Sequence, residues 1–212
     1  MRILVAAASE MEIAPSIKTL NNLGVNVAIT GIGLASSVYA LTKAVQKEQP
    51  DVIIQAGIAG AIDRETRLGG VLAVSKDCFG DVGVVEGEAW KSLFDLGLAS
   101  PNQKPFEEGW LINPHKDLIL KSGLSAVAAT TVNEITTMSR RVNRLKSLGI
   151  KLESMEGAAL HYVALMEEKP FLQVRAISNY IGERDKNNWQ MKESIHLLNQ
   201  SLLSIVDIFL KM

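Results

Sequence analysis

The sequence predicts an α/β fold, with residues 1–212 forming a single three-layer α/β/α domain. Short apolar, β-prone segments alternate with helical segments along most of the chain, and the middle is richer in strands. A length of 212 residues fits one domain of this class, and hydrophobic residues, at 47%, suffice for a sizeable core. Residues 187–212 carry apolar side chains three to four positions apart, which is typical of a helix with one face on the core.

The first strand and helix meet at a serine. Arg2–Ala8 is a continuous apolar segment and predicts a buried strand. Ser9 follows it with Glu12 three residues later, the spacing of a helix capping box, and Gly24 ends the predicted helix. From this local pattern alone, capping is the favoured role of Glu12.

A tight glycine turn follows the second strand, which spans residues 25–30. Gly31 and Gly33 open a helix as in a dinucleotide-binding fingerprint, but Ser36 occupies the position of the third glycine. The next strand ends in Gln55 and Ala56, where that fingerprint requires an acidic residue. The pattern argues against a nicotinamide cofactor, and we expect no cofactor.

The middle of the chain is less regular. Asp51–Ala56 predicts a strand, and the glycines of the following loop, Gly57–Gly60, would let backbone amides approach a ligand or serve only as a turn. Val71–Ser75 and Leu124–Thr130 predict further strands, and residues 131–149 predict a helix. Residues 86–115 are rich in proline and glycine and predict a long irregular excursion, as in a lid, a partner contact or a disordered loop.

The stretch from Glu153 to Asn179 has the clearest functional pattern. Met155 and Glu156 open a helix that ends before Pro170, and the apolar segment 171–178 predicts a buried parallel strand. Ligands of open α/β sheets bind beyond the carboxyl ends of strands. Glu156 and Asn179 lie at two such ends, so both are candidates for a binding site.

Composition and motifs exclude several classes of function. The 22 basic and 23 acidic residues, without a basic block, give no footprint for nucleic acid or an anionic membrane. Cys78 is the only cysteine, which rules out an intramolecular disulfide and indicates a reducing cytoplasm. The three histidines (His115, His161 and His196) lack the spacing of metal ligands, and no nucleophile elbow occurs. We therefore expect no metal site, no membrane span and no covalent catalysis.

Five segments together resemble a known superfamily. RILVAAASEMEI, TGIGLASS, DVIIQAGIAGA, ESMEGAA and QVRAISN are similar, in order and approximate spacing, to the purine nucleoside phosphorylase/hydrolase superfamily, especially its methylthioadenosine/S-adenosylhomocysteine nucleosidases. The resemblance covers nearly the whole chain, and Met155-Glu156 with VRAIS is its most specific part. It implies a twisted, mixed central sheet and cleavage of an N-glycosidic bond.

The resemblance also implies roles for individual residues. Glu12 resembles the general base that activates a water molecule, and Glu156 resembles the carboxylate that holds the ribose hydroxyls. Met155 would pack on the sugar, and Arg175 would lie near the catalytic carboxylate. The further residues expected to line the substrate are Gly57, Ile58, Gly60, Val132 and Trp189.

Asn179 departs from the adenine-specific pattern, which has Asp at this position. A neutral amide NH2 can donate to O6 or N7 of a 6-oxopurine, both of which are acceptors, whereas an ionised Asp accepts from a 6-amino group. Asn179 thus favours a hypoxanthine-like leaving group. Together with FGDVGVVEG and AISNYIGERDKNNW, it resembles the futalosine hydrolase branch, which implies release of hypoxanthine from futalosine in menaquinone biosynthesis.

Three other functions stay open at this point. An adenine-releasing nucleosidase would turn over methylthioadenosine, and a phosphorylase would need an anion pocket that no arginine cluster beside the glycine turn supplies. A purine-binding or storage protein on the same scaffold would not need Glu12 as a base. The superfamily resemblance also implies a homodimer or homotetramer, with residues 86–114 as the candidate subunit contact.

Overall fold

The longest strands lie at the centre of the fold, which is described here for residues 1–212 from a computed structural model. Strands and helices alternate at both ends of the chain. The strands are β1 (Ile3–Ala7), β2 (Asn26–Ile29), β3 (Val52–Ala61), β4 (Val71–Asp77), β5 (Gly83–Glu86), β6 (Ala89–Ser92), β7 (Leu111–Ile112), β8 (Ala126–Thr131), β9 (Ile150–Ser154) and β10 (Phe171–Tyr180). The helices are α1 (Glu10–Asn22), α2 (Leu34–Glu48), α3 (Lys116–Lys121), α4 (Ser139–Ser147), α5 (Gly157–Met166) and α6 (Met191–Leu210), with a 3-10 turn at Lys186–Asn188.

The main sheet is mixed and closes on itself through β3. This strand pairs with β10 in parallel along its whole length, with β1 in parallel through its first half, and with β9 in antiparallel at its last two residues. β4 and β8 continue the sheet from β10 round to β9, so the order β3–β10–β4–β8–β9 returns to β3. The twisted mixed sheet that the resemblance implied is confirmed.

This closure leaves a gap along one edge of β3. Pairing with β1 ends at Gln55, opposite Ala6, and pairing with β9 begins at Gly60, opposite Glu153. Residues 56–59 of β3 therefore have a strand partner only on the β10 side. At this gap, the chain after β1 and the chain after β9 both turn away from β3, which leaves a space beside residues 56–59.

Helices cover both faces of the sheet and confirm the three-layer prediction. One face packs on α1 and α6 through a core that includes Ile13, Leu20, Leu202 and Phe209. The other face packs on α2 and α5 through a second core, with Leu41, Val45, Leu160 and Val163 among its members. The predicted apolar face of α6 is accordingly turned to the sheet. No helix combines the length and apolarity that a membrane crossing requires.

Two predicted boundaries are wrong around the glycine-rich middle. The loop expected at Gly57–Gly60 is part of β3, because β10 runs beside it and supplies backbone partners as far as Ala61. The excursion at 86–115 contains regular structure: Gly83–Glu86 and Ala89–Ser92 form a hairpin, and Leu111–Ile112 pairs with β4.

The helix predicted over residues 131–149 is also shorter than expected, beginning only at Ser139. The carboxylate of Asp81 accepts hydrogen bonds from the backbone N–H groups of Asn133 and Glu134. The buried carboxylate of Glu153 accepts from the backbone N–H of Thr136, at 2.9 Å, and from its hydroxyl. Side chains of distant elements thus satisfy the amides that a longer helix would have used.

Candidate active site

A cavity of about 230 Å³ opens at the gap beside β3. Its walls come from the start of α1, the second half of β3, the turn between β9 and α5, and the segment after β10. The cavity lining includes seven of the predicted site residues: Glu12, Ile58, Gly60, Met155, Glu156, Asn179 and Trp189.

Hydrogen bonds from the residue before α1 and from β3 hold the Glu12 carboxylate at the cavity. Its Oε2 accepts hydrogen bonds from the backbone N–H of Ser9, at 3.0 Å, and from the Ser9 hydroxyl, at 3.1 Å. Its Oε1 accepts from the backbone N–H of Ile58 on β3, at 3.1 Å. The side chain is only 5% exposed, and that exposed part faces the cavity. From this one position, Glu12 both caps α1 and faces the cavity.

Glu156 faces the cavity from the turn before α5. Its Oε1 accepts a hydrogen bond of 3.0 Å from the backbone N–H of Gly33, the residue at the N-terminus of α2. Gly33 has a φ of 88°, in the left-handed region that favours glycine, so the glycine turn is needed to aim this N–H. The partial positive charge of a helix N-terminus favours a carboxylate at this point.

The surroundings of Glu156 include groups that raise the pKa of its carboxyl and groups that lower it. Burial raises the pKa of the Glu156 carboxyl above its usual value, while the Arg175 guanidinium and the Gly33 N–H act to lower that pKa. The negative charge of Glu12 adds to the rise. A third acid on the wall, Glu153, also has a pKa raised by burial, against the hydrogen bonds from Thr136 that lower it.

Asn179 lies on the cavity wall near the end of β10. Its Oδ1 accepts from the Ser178 hydroxyl at 2.9 Å, and its Nδ2 donates to the Tyr180 carbonyl at 3.0 Å. These contacts fix the amide and leave one further N–H on Nδ2. The side chain is half-buried, so that N–H is available to a ligand in the cavity.

Met155 and Trp189 supply apolar surface to the cavity. Both side chains are half-buried, and Trp189 precedes α6. The Trp189 indole N–H donates to the Glu183 carbonyl at 3.2 Å, and the Arg184 guanidinium lies 5.8 Å from a Trp189 ring centroid. This anchoring holds Trp189 at the cavity, shortly before the start of α6.

Three predicted residues lie behind the cavity wall. Arg175 is 1% exposed, and its Nη2 donates to the Gln55 side-chain carbonyl at 2.7 Å. Gly57 separates Arg175 from Glu12: a Cβ there would overlap the Arg175 Nη1 atom and come within 2.9 Å of the Glu12 Oε1 atom. Val132 is fully buried, and its backbone N–H donates to the Ser154 carbonyl. Val132 does not line the cavity because this strand-like bond turns its backbone towards β9.

The structure also brings in residues that the sequence pattern did not indicate. Glu153 and Ser178 line the cavity, as do exposed apolar side chains at its mouth. In the sequence, Gln55 was noted only because a dinucleotide-binding fingerprint would have an acidic residue there. In the structure, its side chain contacts both Arg175 and the backbone of Glu156. Pairing across the sheet creates these contacts, and no sequence spacing encodes them.

Comparisons with known proteins show the family of this chain. Residues 8–211 match the family model described as the phosphorylase superfamily. A futalosine hydrolase of Thermus thermophilus is 28% identical over 82% of this chain and 77% of its own. A 5'-methylthioadenosine/S-adenosylhomocysteine nucleosidase of Listeria innocua is 26% identical over 84% of this chain and 78% of its own.

The fold is shared with solved structures. The native structure of futalosine hydrolase of Helicobacter pylori superimposes with a TM-score of 0.79, at 17% identity, covering 98% of this chain and 97% of that one. At this identity the likeness concerns the fold. The family match spans almost all of the chain, and the order of the matching segments follows the fold described above. The chain belongs to the phosphorylase superfamily.

Proposed function

We propose that this protein hydrolyses the N-glycosidic bond of a purine nucleoside, with futalosine as its substrate and hypoxanthine as the released base. The observation that carries the proposal is that Glu12, Glu156 and Asn179 face one cavity. The similarity to a futalosine hydrolase of Thermus thermophilus supports the choice of substrate. The reaction would belong to menaquinone biosynthesis, in the cytoplasm.

In the proposed reaction, Glu12 is the general base. It takes a proton from a water molecule, whose oxygen forms a bond to the anomeric carbon as the bond from that carbon to the purine nitrogen breaks. The leaving purine keeps the electron pair and is then protonated. Glu12 suits this role because three fixed N–H and O–H donors orient its carboxylate while part of it stays open to the cavity.

Glu156 would hold the ribose hydroxyls. The sugar gains oxocarbenium character as the bond breaks, and a nearby carboxylate stabilises that positive charge. The Gly33 N–H fixes one oxygen of Glu156 and leaves the other for the sugar. Met155 would pack on the ribose, and the buried charge of Arg175 would help to keep Glu156 ionised.

Asn179 would select the base. Its free N–H would donate to O6 or N7 of the purine, both of which are acceptors in hypoxanthine. Ile58 and Gly60 would line the nucleoside, and Trp189 would cover it with an aromatic face. Gly57, behind the wall, would leave room for the Arg175 side chain. Val132 would support the site only through its backbone hydrogen bond to Ser154.

The main alternative is an adenine-releasing nucleosidase. The Listeria innocua relative, a 5'-methylthioadenosine/S-adenosylhomocysteine nucleosidase, supports it nearly as well by similarity. The neutral amide at Asn179 argues for the 6-oxopurine instead. A phosphorylase would require phosphate for turnover, and a purine-binding or storage protein would show binding without turnover.

A substrate panel tests these functions together. The purified protein is incubated with futalosine, inosine and methylthioadenosine, each with and without phosphate, and released bases are separated by chromatography. We expect hypoxanthine from futalosine at a rate independent of phosphate. No release from futalosine by a folded sample would end the proposal, and adenine release from methylthioadenosine would favour the alternative.

We also propose that the protein is a homodimer or homotetramer whose neighbouring subunit closes the site. Three apolar side chains at the cavity are exposed, namely Met11 at 58%, Ile32 at 66% and Ile135 at 42%. Clustered exposed apolar residues are typical of contact surfaces. Light scattering coupled to size-exclusion chromatography measures the state, and Ile32→Glu should shift it towards the monomer.

A further inference from the structure

Six polar side chains form a continuous buried layer behind the cavity wall. They share an exposure of 1% or less, and none lines the cavity: Gln55, Asp77, Thr131, His161, Gln173 and Arg175. Burying so many polar groups costs free energy unless each finds a partner. We call this set the polar layer, and two of its members, Gln55 and Thr131, form hydrogen bonds with the backbone of the short segment that carries Glu156.

Gln55 joins Arg175 to the backbone of Glu156. Its side-chain carbonyl accepts from Arg175 Nη2 at 2.7 Å, and its amide N–H donates to the Glu156 carbonyl oxygen at 3.3 Å. That carbonyl also accepts from the backbone N–H of Ala159 within α5. One side of the Glu156 peptide is therefore attached to β3 and, through Arg175, to β10.

Asp77 and Thr131 hold the other side of the same segment. The Thr131 hydroxyl donates to Asp77 Oδ1 at 3.0 Å and accepts from the backbone N–H of Ala158 at 2.7 Å. Gly157, between Glu156 and Ala158, sits directly against the polar layer, because a Cβ there would overlap Asp77 Oδ2 and the Gln173 amide nitrogen.

We propose that Gln55 and the Asp77–Thr131 pair are positioning residues that fix the backbone from which Glu156 presents its carboxylate. The inference rests on the proposed role of Glu156 as the carboxylate that meets the substrate. The Gln55 side chain also supplies the hydrogen-bond acceptor of the buried Arg175 guanidinium, so its loss would lower stability as well as release the Glu156 carbonyl. The test therefore needs readouts that separate placement of Glu156 from stability.

Two matched pairs of variants test the proposal. Gln55→Leu keeps the volume and removes both contacts, while Gln55→Glu keeps an acceptor for Arg175 but cannot donate to the Glu156 carbonyl. Thr131→Val removes both hydroxyl contacts with almost no change of shape, and Thr131→Ser restores the hydroxyl. We expect Gln55→Leu, Gln55→Glu and Thr131→Val to lower kcat/KM at least about tenfold, and Thr131→Ser to recover most of it.

Two readouts separate positioning from a general loss of structure. In a Glu156→Ala background, the effect of Thr131→Val on residual kcat/KM should vanish if Thr131 acts through Glu156. Hydrogen exchange of the Gly33 backbone N–H, which donates to Glu156, should become at least about tenfold faster in Thr131→Val and in Gln55→Leu, with Thr131→Ser like the wild type.

The outcomes also distinguish this inference from the proposed function. A wild-type protein without nucleosidase activity would end the proposed function, while Gly33 exchange would still test the placement of Glu156. Gly33 exchange within twofold of the wild type in both Thr131→Val and Gln55→Leu would overturn the positioning role, whatever their activity. So would a loss of activity that persists undiminished in the Glu156→Ala background.

Discussion

Glu12 and Glu156 face the same cavity, and each is fixed by a backbone N–H from a different part of the chain. Ile58, on the central strand β3, donates to Glu12 at 3.1 Å, and Gly33, at the start of α2, donates to Glu156 at 3.0 Å. Both carboxylates are thus oriented by rigid elements while each keeps an open side. Fixed orientation of charge is what an electrostatic mechanism requires, because reorientation during the reaction would cost free energy.

The first prediction concerns Glu12→Gln. We expect kcat to fall at least about a hundredfold, because the amide cannot accept the proton of the attacking water. Affinity for the nucleoside, measured by calorimetry, should change by only a few-fold. Ser9→Ala is the control for the capping role, since it removes one of the two Ser9 contacts and leaves the carboxylate. Comparable turnover in Glu12→Gln would remove Glu12 from the mechanism.

The second prediction concerns the choice of base. Asn179→Asp keeps the acceptor for the Ser178 hydroxyl but loses the amide N–H that would donate to a 6-oxopurine. A mispaired buried polar group costs about 1–3 kcal/mol, so the ratio of kcat/KM for futalosine over methylthioadenosine should fall at least about tenfold. Using a ratio cancels any general loss of active protein. An unchanged ratio would show that Asn179 does not select the base.

Gly57→Ala provides the third prediction. Its Cβ would overlap the buried Arg175 guanidinium and press on the Glu12 carboxylate, which three hydrogen bonds hold in place. We expect a loss of about 1–3 kcal/mol in the free energy of unfolding and at least a tenfold loss of kcat. Gly24→Ala is the control: it strains a φ of 72° in a region with nothing within 4 Å, so activity should persist. Equal activity losses in both variants would count against a local effect.

The fourth prediction concerns the pH dependence of stability and rests on Asp77 and His161. Burial raises the pKa of Asp77 to about 6 and lowers the pKa of His161 to about 4. The His161 Nδ1 lies 2.8 Å from the Leu111 carbonyl oxygen, which fixes the proton of the neutral ring on that nitrogen. The nearby positive charge of Arg175 opposes the rise at Asp77 and contributes to the fall at His161.

The two shifts act in opposite directions on stability. As pH falls from 6.5 to 4, unfolded His161 gains a proton that the folded ring does not, so its contribution to stability is lost. Over pH 6 to 3.8, folded Asp77 gains a proton before the unfolded one does, so its contribution to stability grows. Each shift corresponds to roughly 3 kcal/mol, and the two nearly cancel in the wild type.

Removing one of the two groups should therefore leave the other group's effect on the pH dependence of stability uncompensated. Relative to the wild type, Asp77→Asn should lose stability as pH falls from 6 to 3.8, by roughly 3 kcal/mol, and His161→Gln should gain stability as pH falls from 6.5 to 4. Urea unfolding at a series of pH values measures both, and differences from the wild type cancel the titration of surface groups. Curves parallel to the wild type in both variants would contradict the assignment.

Sequence patterns were sufficient for the strands and helices at both ends of the chain and for much of the site. The continuous apolar strands, the glycine turn and the Met155-Glu156 pair depend on local periodicity and backbone freedom, so they can be read from neighbouring residues. Seven of the ten predicted site residues face the cavity, because strand ends are where an α/β fold places its ligands.

Other features were decided only by contacts between distant segments. β3 extends through Gly57–Gly60 because β10 pairs with it, and α4 begins late because Asp81 and Glu153 take the backbone amides ahead of it. The second role of Glu12 depends on the Ile58 N–H, 46 residues away in the chain. Local sequence thus determined which residues could act, whereas the closure of the sheet decided which of them meet, because hydrogen bonds across the sheet join residues whose separation in sequence carries no periodic signal.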